Sequence, residues 1–214
     1  MLGIDPVFPI SICNISCVGS HLIMQQECCQ MIETRRLMLR PFEAADSDLI
    51  YRIYSDEEIL RYTPFDTMDE KQAERHLQRV MDDWQNEPLL SLEFAVCLKE
   101  NEIKIGRAHV LIEPETDTGM IGMLLVQECW GKHYATEIAE ALIRYCFETL
   151  HLHRVNAVCN PDNTASWRML EKCGLRREAV LLQKCRYVKK GIVSWHDELE
   201  YAMLDSEYSR NETV

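Results

Sequence analysis

The chain has 214 residues and a formal net charge of −12, with 47% hydrophobic and 27% charged residues. That length and balance suit one folded domain with a full-sized core and exclude wholesale disorder. The acidic excess argues against a nucleic-acid duplex as ligand and suits a cationic partner, and no apolar run nears the roughly 20 residues that span a bilayer.

Residues 1–30 differ in character from everything that follows. "MLGIDPVFPISICNISCVGSHLIM" is apolar but broken by Asp5, Pro6 and Pro9 and has no basic start, so it makes a poor signal peptide. Cys13, Cys17, His21, Cys28 and Cys29 invite a zinc reading, yet their spacing matches no closed two-by-two knuckle, and no metal is expected. The segment reads as an extension of uncertain status, with Met31 a possible initiator. The expected organisation is this extension, a single domain over residues 31–208 and a tail over 209–214. Six further cysteines (Cys97, Cys129, Cys146, Cys159, Cys173, Cys185) stand singly in periodic segments. They read as packed thiols of a reducing compartment, so a cytoplasmic location is expected.

From Met31 the pattern alternates. Leu37, Leu39 and Phe42 predict a strand near Pro41, and Asp46 or Ser47 caps a short helix to about Tyr54. Thr67 and Glu70 match a capping box, after which Ala73, Leu77, Val80, Met81 and Trp84 mark one helical face. Strands are predicted over 93–98 and 105–112 and in "GMIGMLLV". The helix over 134–150 carries Ile138, Ala141, Leu142, Tyr145 and Cys146 on one side. "RVNAVCN" alternates as a strand, Asn163 caps a helix running to Cys173 with Gly174 as its stop, and strands near 177–187 and 194–203 close the chain. This is an α/β chain with a β–α–β core over 119–160.

Chemistry concentrates at "WGKHYATE", residues 130–137, between the strand and the long helix. The first turn of a helix has unpaired N–H groups and partial positive charge, a glycine admits a bulky anion, and Lys132 adds charge. Arg168 and Lys172 could complete a basic patch. There is no G-x-x-x-x-G-K-[ST] and no G-x-G-x-x-G, which disfavours a P-loop and a Rossmann dinucleotide site. On the residues alone, a pyrophosphate cradle and an ordinary strand-to-helix turn both remain open.

Together with "NPDNTASWRMLEKCGL" about 30 residues later, the stretch resembles the GNAT acetyltransferase superfamily, and within it the RimJ/RimL-like protein N-acetyltransferases. "ETRRLMLRPFEAADSDLIYRIYSDEEILRY" resembles that branch's first strand and helix. "GIVSWHDELEYAML", with Asp197, resembles its closing strand. The likeness covers about residues 32–204.

What the resemblance implies is a mixed, mostly antiparallel sheet flanked by helices, its two central parallel strands splayed around acetyl-CoA. Leu124, Leu125 and Val126 would hold the pantetheine arm. Gly131, Lys132, His133, Tyr134, Ala135 and Thr136 would hold the pyrophosphate through backbone N–H groups. Asn163 and Ser166 match positions near the cofactor arm and thiol, although Asn163 also reads as a helix cap and Ser166 as a first-turn backbone partner. Ser166 is the candidate to protonate or hydrogen-bond the leaving thiolate, since this helix has Trp167 and Met169 where many relatives have a tyrosine.

His133 stands at the usual second glycine, which is tolerable at negative φ. Met120 stands where the branch often has a glutamate, and "QKCRYVKKG" has no carboxylate either. Glu93, Glu115, Asp117 and ordered water are left as candidate general bases, each carboxylate reading as a solvated surface group. Cys129 beside the loop reads as a packed thiol rather than an acyl carrier.

The implied activity is acetyl-CoA-dependent transfer to a primary amine, by direct attack in a ternary complex. The acceptor is a peptide or protein N-terminus, or alternatively a small amine or antibiotic. A non-catalytic acyl-CoA-binding module is the rival class. Acetyl-CoA is the co-substrate; neither nucleic acid nor membrane is an expected partner, and monomer and homodimer both remain open.

Overall fold

The computed structural model describes residues 31–211. The cysteine-rich residues 1–30 and residues 212–214 of the expected tail lie outside the described residues. Eight strands form one sheet in the order β1-β2-β3-β4-β5-β6-β8-β7. They are β1 (Ile32–Glu33), β2 (Leu37–Pro41), β3 (Ser91–Leu98), β4 (Lys104–Glu113), β5 (Thr118–Leu125), β6 (Arg154–Cys159), β7 (Arg176–Lys189) and β8 (Ile192–Leu204). Every neighbouring pair is antiparallel except β5 and β6, which run parallel. The mixed sheet, its single parallel pair and the flanking helices agree with the expected fold class.

The helices are α1 (Ser47–Tyr54), α2 (Glu70–Asp83), α3 (Tyr134–Arg144), α4 (Thr164–Lys172) and α5 (Asp205–Asn211). α1 and α2 cover one face of the sheet. α3 covers the other as the crossover of the parallel pair, a connection that such a pair needs. β3 buries six consecutive residues because both its faces are covered, which hides the alternation of a half-exposed strand.

Local details differ from the sequence reading at four places. The capping box of α2 is Asp69 with Gln72, each accepting at 2.8 Å from the other's backbone N–H, and not Thr67 with Glu70. Thr67 cannot open the helix because its N–H is taken by Asp66 and that of Met68 by the Tyr54 carbonyl. Before α1, Asp46 turns its carboxylate away from the cap position. It accepts from the Glu43 N–H at 2.8 Å and from the Arg40 guanidinium at 2.7 and 2.9 Å.

The long helix stops being α-helical at Arg144. Its next turn, Tyr145–Thr149, widens to a π-turn that buries Tyr145, Cys146 and Phe147. Finally, α5 follows β8 in a polar stretch, "DSEYSRN", that carries no apolar period to announce it.

Candidate active site

β5 and β6 share only three parallel pairs, Thr118 with Arg154, Gly119 with Val155 and Met120 with Asn156. Beyond them β5 runs on to Leu125 and β6 to Cys159 without pairing to each other, so the sheet opens as a V. Asn156 sits at the point of parting, its side-chain oxygen buried with no hydrogen-bond partner among the described residues.

Along the β5 arm the backbone is partly spoken for. The Val126 N–H donates to the Ile105 carbonyl at 2.9 Å, and the Leu125 carbonyl accepts from the Trp130 indole at 2.9 Å. Successive residues of a strand aim their N–H groups to opposite sides. With Val126 turned toward β4, the Leu125 N–H faces the gap and Leu124 faces β4. Of the three strand residues expected at the pantetheine arm, Leu125 is therefore the one with a free backbone donor there.

The β5 arm ends in a turn, Gln127–Cys129, and then in the mouth of α3. Gly131 has φ +72° and His133 has φ +62°. The sequence reading required a negative φ at His133, and that requirement is not met: the histidine holds the left-handed conformation that a glycine would adopt there. Its exposure lets the ring project into water, and histidine is among the residues that enter this region more often than most. Left-handed residues on both sides of Lys132 turn successive N–H groups into one concavity, the form of an anion-binding nest. The first α-helical bond here runs from the Glu137 N–H to the His133 carbonyl at 3.2 Å. The N–H groups of Tyr134, Ala135 and Thr136 thus stand at the helix mouth without an intrahelical acceptor.

A residue that the sequence motif does not include braces this loop. Arg36 donates to Glu137 at 2.7 Å and to the Lys132 carbonyl at 3.1 Å, and its guanidinium lies 4.3 Å from the Tyr134 ring centre. It lies 96 positions before Lys132, so no local pattern could have found it. Across the site, the Cys173 thiol lies 3.9 Å from the Thr136 carbonyl, which sets the end of α4, with Lys172, beside the first turn of α3. The loop has the orphan donors and positive charge that a pyrophosphate requires, and so fits the diphosphate of a coenzyme A.

On the β6 arm, Asn163 caps α4, its side chain accepting from the Ser166 N–H at 3.2 Å. Burial pushes the pKa of the Cys159 thiol up to about 11, and the nearby Ser166 hydroxyl opposes that only in part. Cys129 is buried with its pKa raised by desolvation, the state of a packed thiol. The remaining candidate bases separate cleanly. Glu115 and Asp117 are exposed in the β4–β5 turn, whereas Glu93 is buried, against the expectation of a surface group. Its carboxylate accepts from Arg107 at 2.6 Å, and Arg107 also donates to the Tyr54 hydroxyl and to His109 Nδ1 at 3.2 Å. This cluster lies under the α1–α2 face of the gap, and three separate strands and helices contribute to it. Among the described residues no group of three or more His, Cys, Asp or Glu could hold a metal.

The long β7–β8 hairpin walls the same face. The Tyr187 hydroxyl donates to the Tyr62 carbonyl at 2.9 Å, Lys189 to the Leu60 carbonyl at 2.6 Å, and the Lys190 N–H to Asp66 at 2.6 Å. The loop "YTPFDTMDE", read as an acceptor-side loop, is therefore strapped to the hairpin. At the end of β5 a cleft of about 470 Å³ opens between Asp56, Glu57, Val126 and Glu128.

Residues 36–176 match the family model described as "Acetyltransferase (GNAT) domain". The chain is 32% identical over 178 residues to "Uncharacterized N-acetyltransferase YnaD" of Bacillus subtilis, covering 83% of this chain and 99% of that one. A crystal structure of a GNAT-family acetyltransferase from Bacillus anthracis superposes with a TM-score of 0.71 at 30% identity, over 83% of this chain and all of that one. Two more distant structures share the fold. The spermidine N-acetyltransferase of Vibrio cholerae, in complex with CoA and spermine, gives a TM-score of 0.70 at 18% identity, over 82% and 99% of the two chains. RimL, a ribosomal L7/L12 alpha-N-protein acetyltransferase in complex with coenzyme A, gives 0.71 at 17%, over 82% and 98%.

Proposed function

The chain belongs to the acetyltransferase (GNAT) family and is an acetyl-CoA-dependent N-acetyltransferase, and from that premise we propose that it acetylates the free N-terminus of a peptide or protein by direct attack in a ternary complex. The observation that carries this reading is the parting of β5 from β6 after Asn156, with the donor-rich mouth of α3 at the end of the β5 arm. In this reading Gly131, Lys132, His133, Tyr134, Ala135 and Thr136 hold the pyrophosphate, Leu124, Leu125 and Val126 flank the pantetheine arm, and Asn163 orders the start of α4 beside it.

Acetyl-CoA supplies an activated thioester. The Leu125 N–H, turned into the gap, is placed to bond a carbonyl oxygen of the arm or of the acetyl group as charge develops on it. The acceptor amine, once it has lost a proton, forms the new C–N bond as the C–S bond breaks. Ser166 then donates its hydroxyl hydrogen bond to the departing sulfur. No lone carboxylate faces the gap from β5, since position 120 is methionine, so water carries the amine proton away in this reading. The RimJ/RimL-like motifs and the fold shared with RimL support an N-terminal acceptor.

One observation favours a second reading, a small polyamine acceptor. The cleft at the end of β5 presents Asp56, Glu57 and Glu128 against one arginine, and a spermidine acetyltransferase shares the fold. Those carboxylates are engaged, however: Asp56 by Gln127 at 2.7 Å, Glu57 by Lys190 at 2.5 Å and Glu128 by Arg52 at 3.7 Å. The test is release of free CoA thiol across peptides with free N-termini and a panel of small amines, with product mass confirming a single added acetyl group. Turnover confined to small amines refutes the N-terminal reading.

A further inference from the structure

His109 has no role in the reading above, yet its surroundings are specific. It pairs with Gly122 across β4 and β5, on the sheet face covered by α1 and α2. A Cβ on Gly122 would lie 2.4 Å from His109 Cε1 and 2.7 Å from Nε2, so the ring occupies the space that the glycine leaves empty. Gly122 lies between Met120, the last β5 residue paired with β6, and Leu124. The imidazole therefore rests on β5 where the gap begins, and it is only partly buried.

The tautomer follows from its neighbour. An arginine only donates, so Arg107 at 3.2 Å makes Nδ1 the acceptor and leaves the proton on Nε2. Nε2 has no partner among the described residues. A base would have to take its proton at Nδ1, directly against the guanidinium, which is the wrong place for a second positive charge. Burial and Arg107 accordingly hold the pKa of His109 down to about 3. His109 is a neutral hydrogen-bond donor, not a base.

The cluster behind it is rich in donors. Among the described residues the Arg107 Nε–H and the His76 Nε2–H are buried without acceptors, and the cluster's carboxylate, Glu93, is spent on Arg107. Such a site attracts an oxygen and is poorly matched to an alkylammonium, which can only donate.

We infer that His109, seated in the space over Gly122, donates its Nε2–H to the first carbonyl oxygen of the acceptor and so selects α-amino amides, the chemistry of a peptide N-terminus, over polyamines. The inference rests on the proposed transfer reaction. It adds a specificity-determining donor on the acceptor side, from the strand next to the one that carries the coenzyme-binding residues.

The experiment compares kcat/KM of the full chain, with acetyl-CoA, for three probes. These are a hexapeptide with a free N-terminal alanine, its (E)-alkene isostere lacking the first carbonyl, and spermidine. The peptide is expected to be preferred over both others by at least tenfold. His109→Leu should erase the preference over the isostere while calorimetric acetyl-CoA affinity holds, and His109→Gln, which keeps a donor, should recover part of it. Gly122→Ala should erase it with His109 intact, by pushing the ring aside.

Equal wild-type rates on peptide and isostere, a preference for spermidine, or a preference that survives in His109→Leu each overturn the assignment while leaving acetyl transfer standing. If His109→Leu does not fold, the wild-type comparison and Gly122→Ala still decide. Absence of turnover on every amine, with acetyl-CoA bound, overturns the transfer reading itself.

Discussion

Arg107 donates to the Glu93 carboxylate at 2.6 Å from an adjacent strand, and both side chains are enclosed between the sheet and the α1–α2 pair. Neither charge is stable there alone, because desolvating an unpaired ion costs several kcal/mol. Arg107→Met should strand the Glu93 carboxylate and cost about 3–5 kcal/mol. Adding Glu93→Gln to the same chain should recover much of the loss. Thermal melts of the single and double variants test this, and an Arg107→Met protein that melts like the parent would show that the pair is not holding the layers together.

Acid should weaken the same region before it reaches the carboxylates. Burial, aided by Arg107, holds His76 and His109 near pKa 3, far below the ordinary 6.5. The unfolded chain therefore binds protons that the folded chain refuses between pH 6.5 and about 3. Stability is full above that window and falls as pH drops through it, by about 1–2 kcal/mol per histidine at pH 5. The melting temperature is expected to be lower at pH 5 than at pH 7.5, and the difference should shrink in a His76→Gln, His109→Gln double variant. A pH-independent melt across that interval contradicts the assignment.

The mouth of α3 gives a binding prediction. Nothing lies within 4 Å of a Cβ built on Gly131, so a side chain fits the free protein and strains only the backbone at φ +72°. Gly131→Glu should leave a folded protein whose carboxylate faces the diphosphate, weakening acetyl-CoA by well over tenfold, more than about 1.4 kcal/mol. His133→Gly should do the opposite, relieving a left-handed residue that costs about 1–2 kcal/mol, with affinity kept. Calorimetry on both variants reads the contrast, and unaltered affinity in Gly131→Glu removes the diphosphate from this loop.

For Ser166 the competing roles make different forecasts. If its hydroxyl assists the leaving sulfur, Ser166→Ala lowers kcat and kcat/KM together, near the lower end of the about 10²–10⁴-fold typical of such help, because water can substitute. If the hydroxyl serves only the start of α4, the variant loses stability by about 1 kcal/mol and turns over normally per folded molecule. Steady-state rates and melting temperature on one preparation separate them.

Much of this arrangement is legible in the sequence because its signals are local. Gly131 and Lys132 at a strand-to-helix boundary, Asn163 before an apolar helical period, and the alternation of "RVNAVCN" each declare a structure within a few residues. What escapes is whatever depends on distant pairing. Glu93 looks like a surface carboxylate because its partner lies on the next strand and its lid on α1. Arg36 meets the α3 mouth only after β2 has joined the sheet. Thr67 loses the cap of α2 to Asp69 because the Tyr54 carbonyl claims the next N–H. His133 is a case of another kind: its position was legible, but its left-handed backbone is imposed by the loop and overrides the residue's preference.

The gap between β5 and β6 is fastened at both ends, by three ladder pairs at its apex and by the hairpin tip tied through Tyr187 and Lys189 to the loop after α1. An opening held at one end would behave as a hinge, and a ligand would spend part of its binding energy setting the width. Held at two ends, it is a rigid frame whose width exists before anything enters. A ligand threading it replaces the missing rungs of the ladder without rearranging the sheet, so little ordering cost is charged against its affinity. Adaptation to different acceptors is left to the side chains lining the frame, His109 foremost among them.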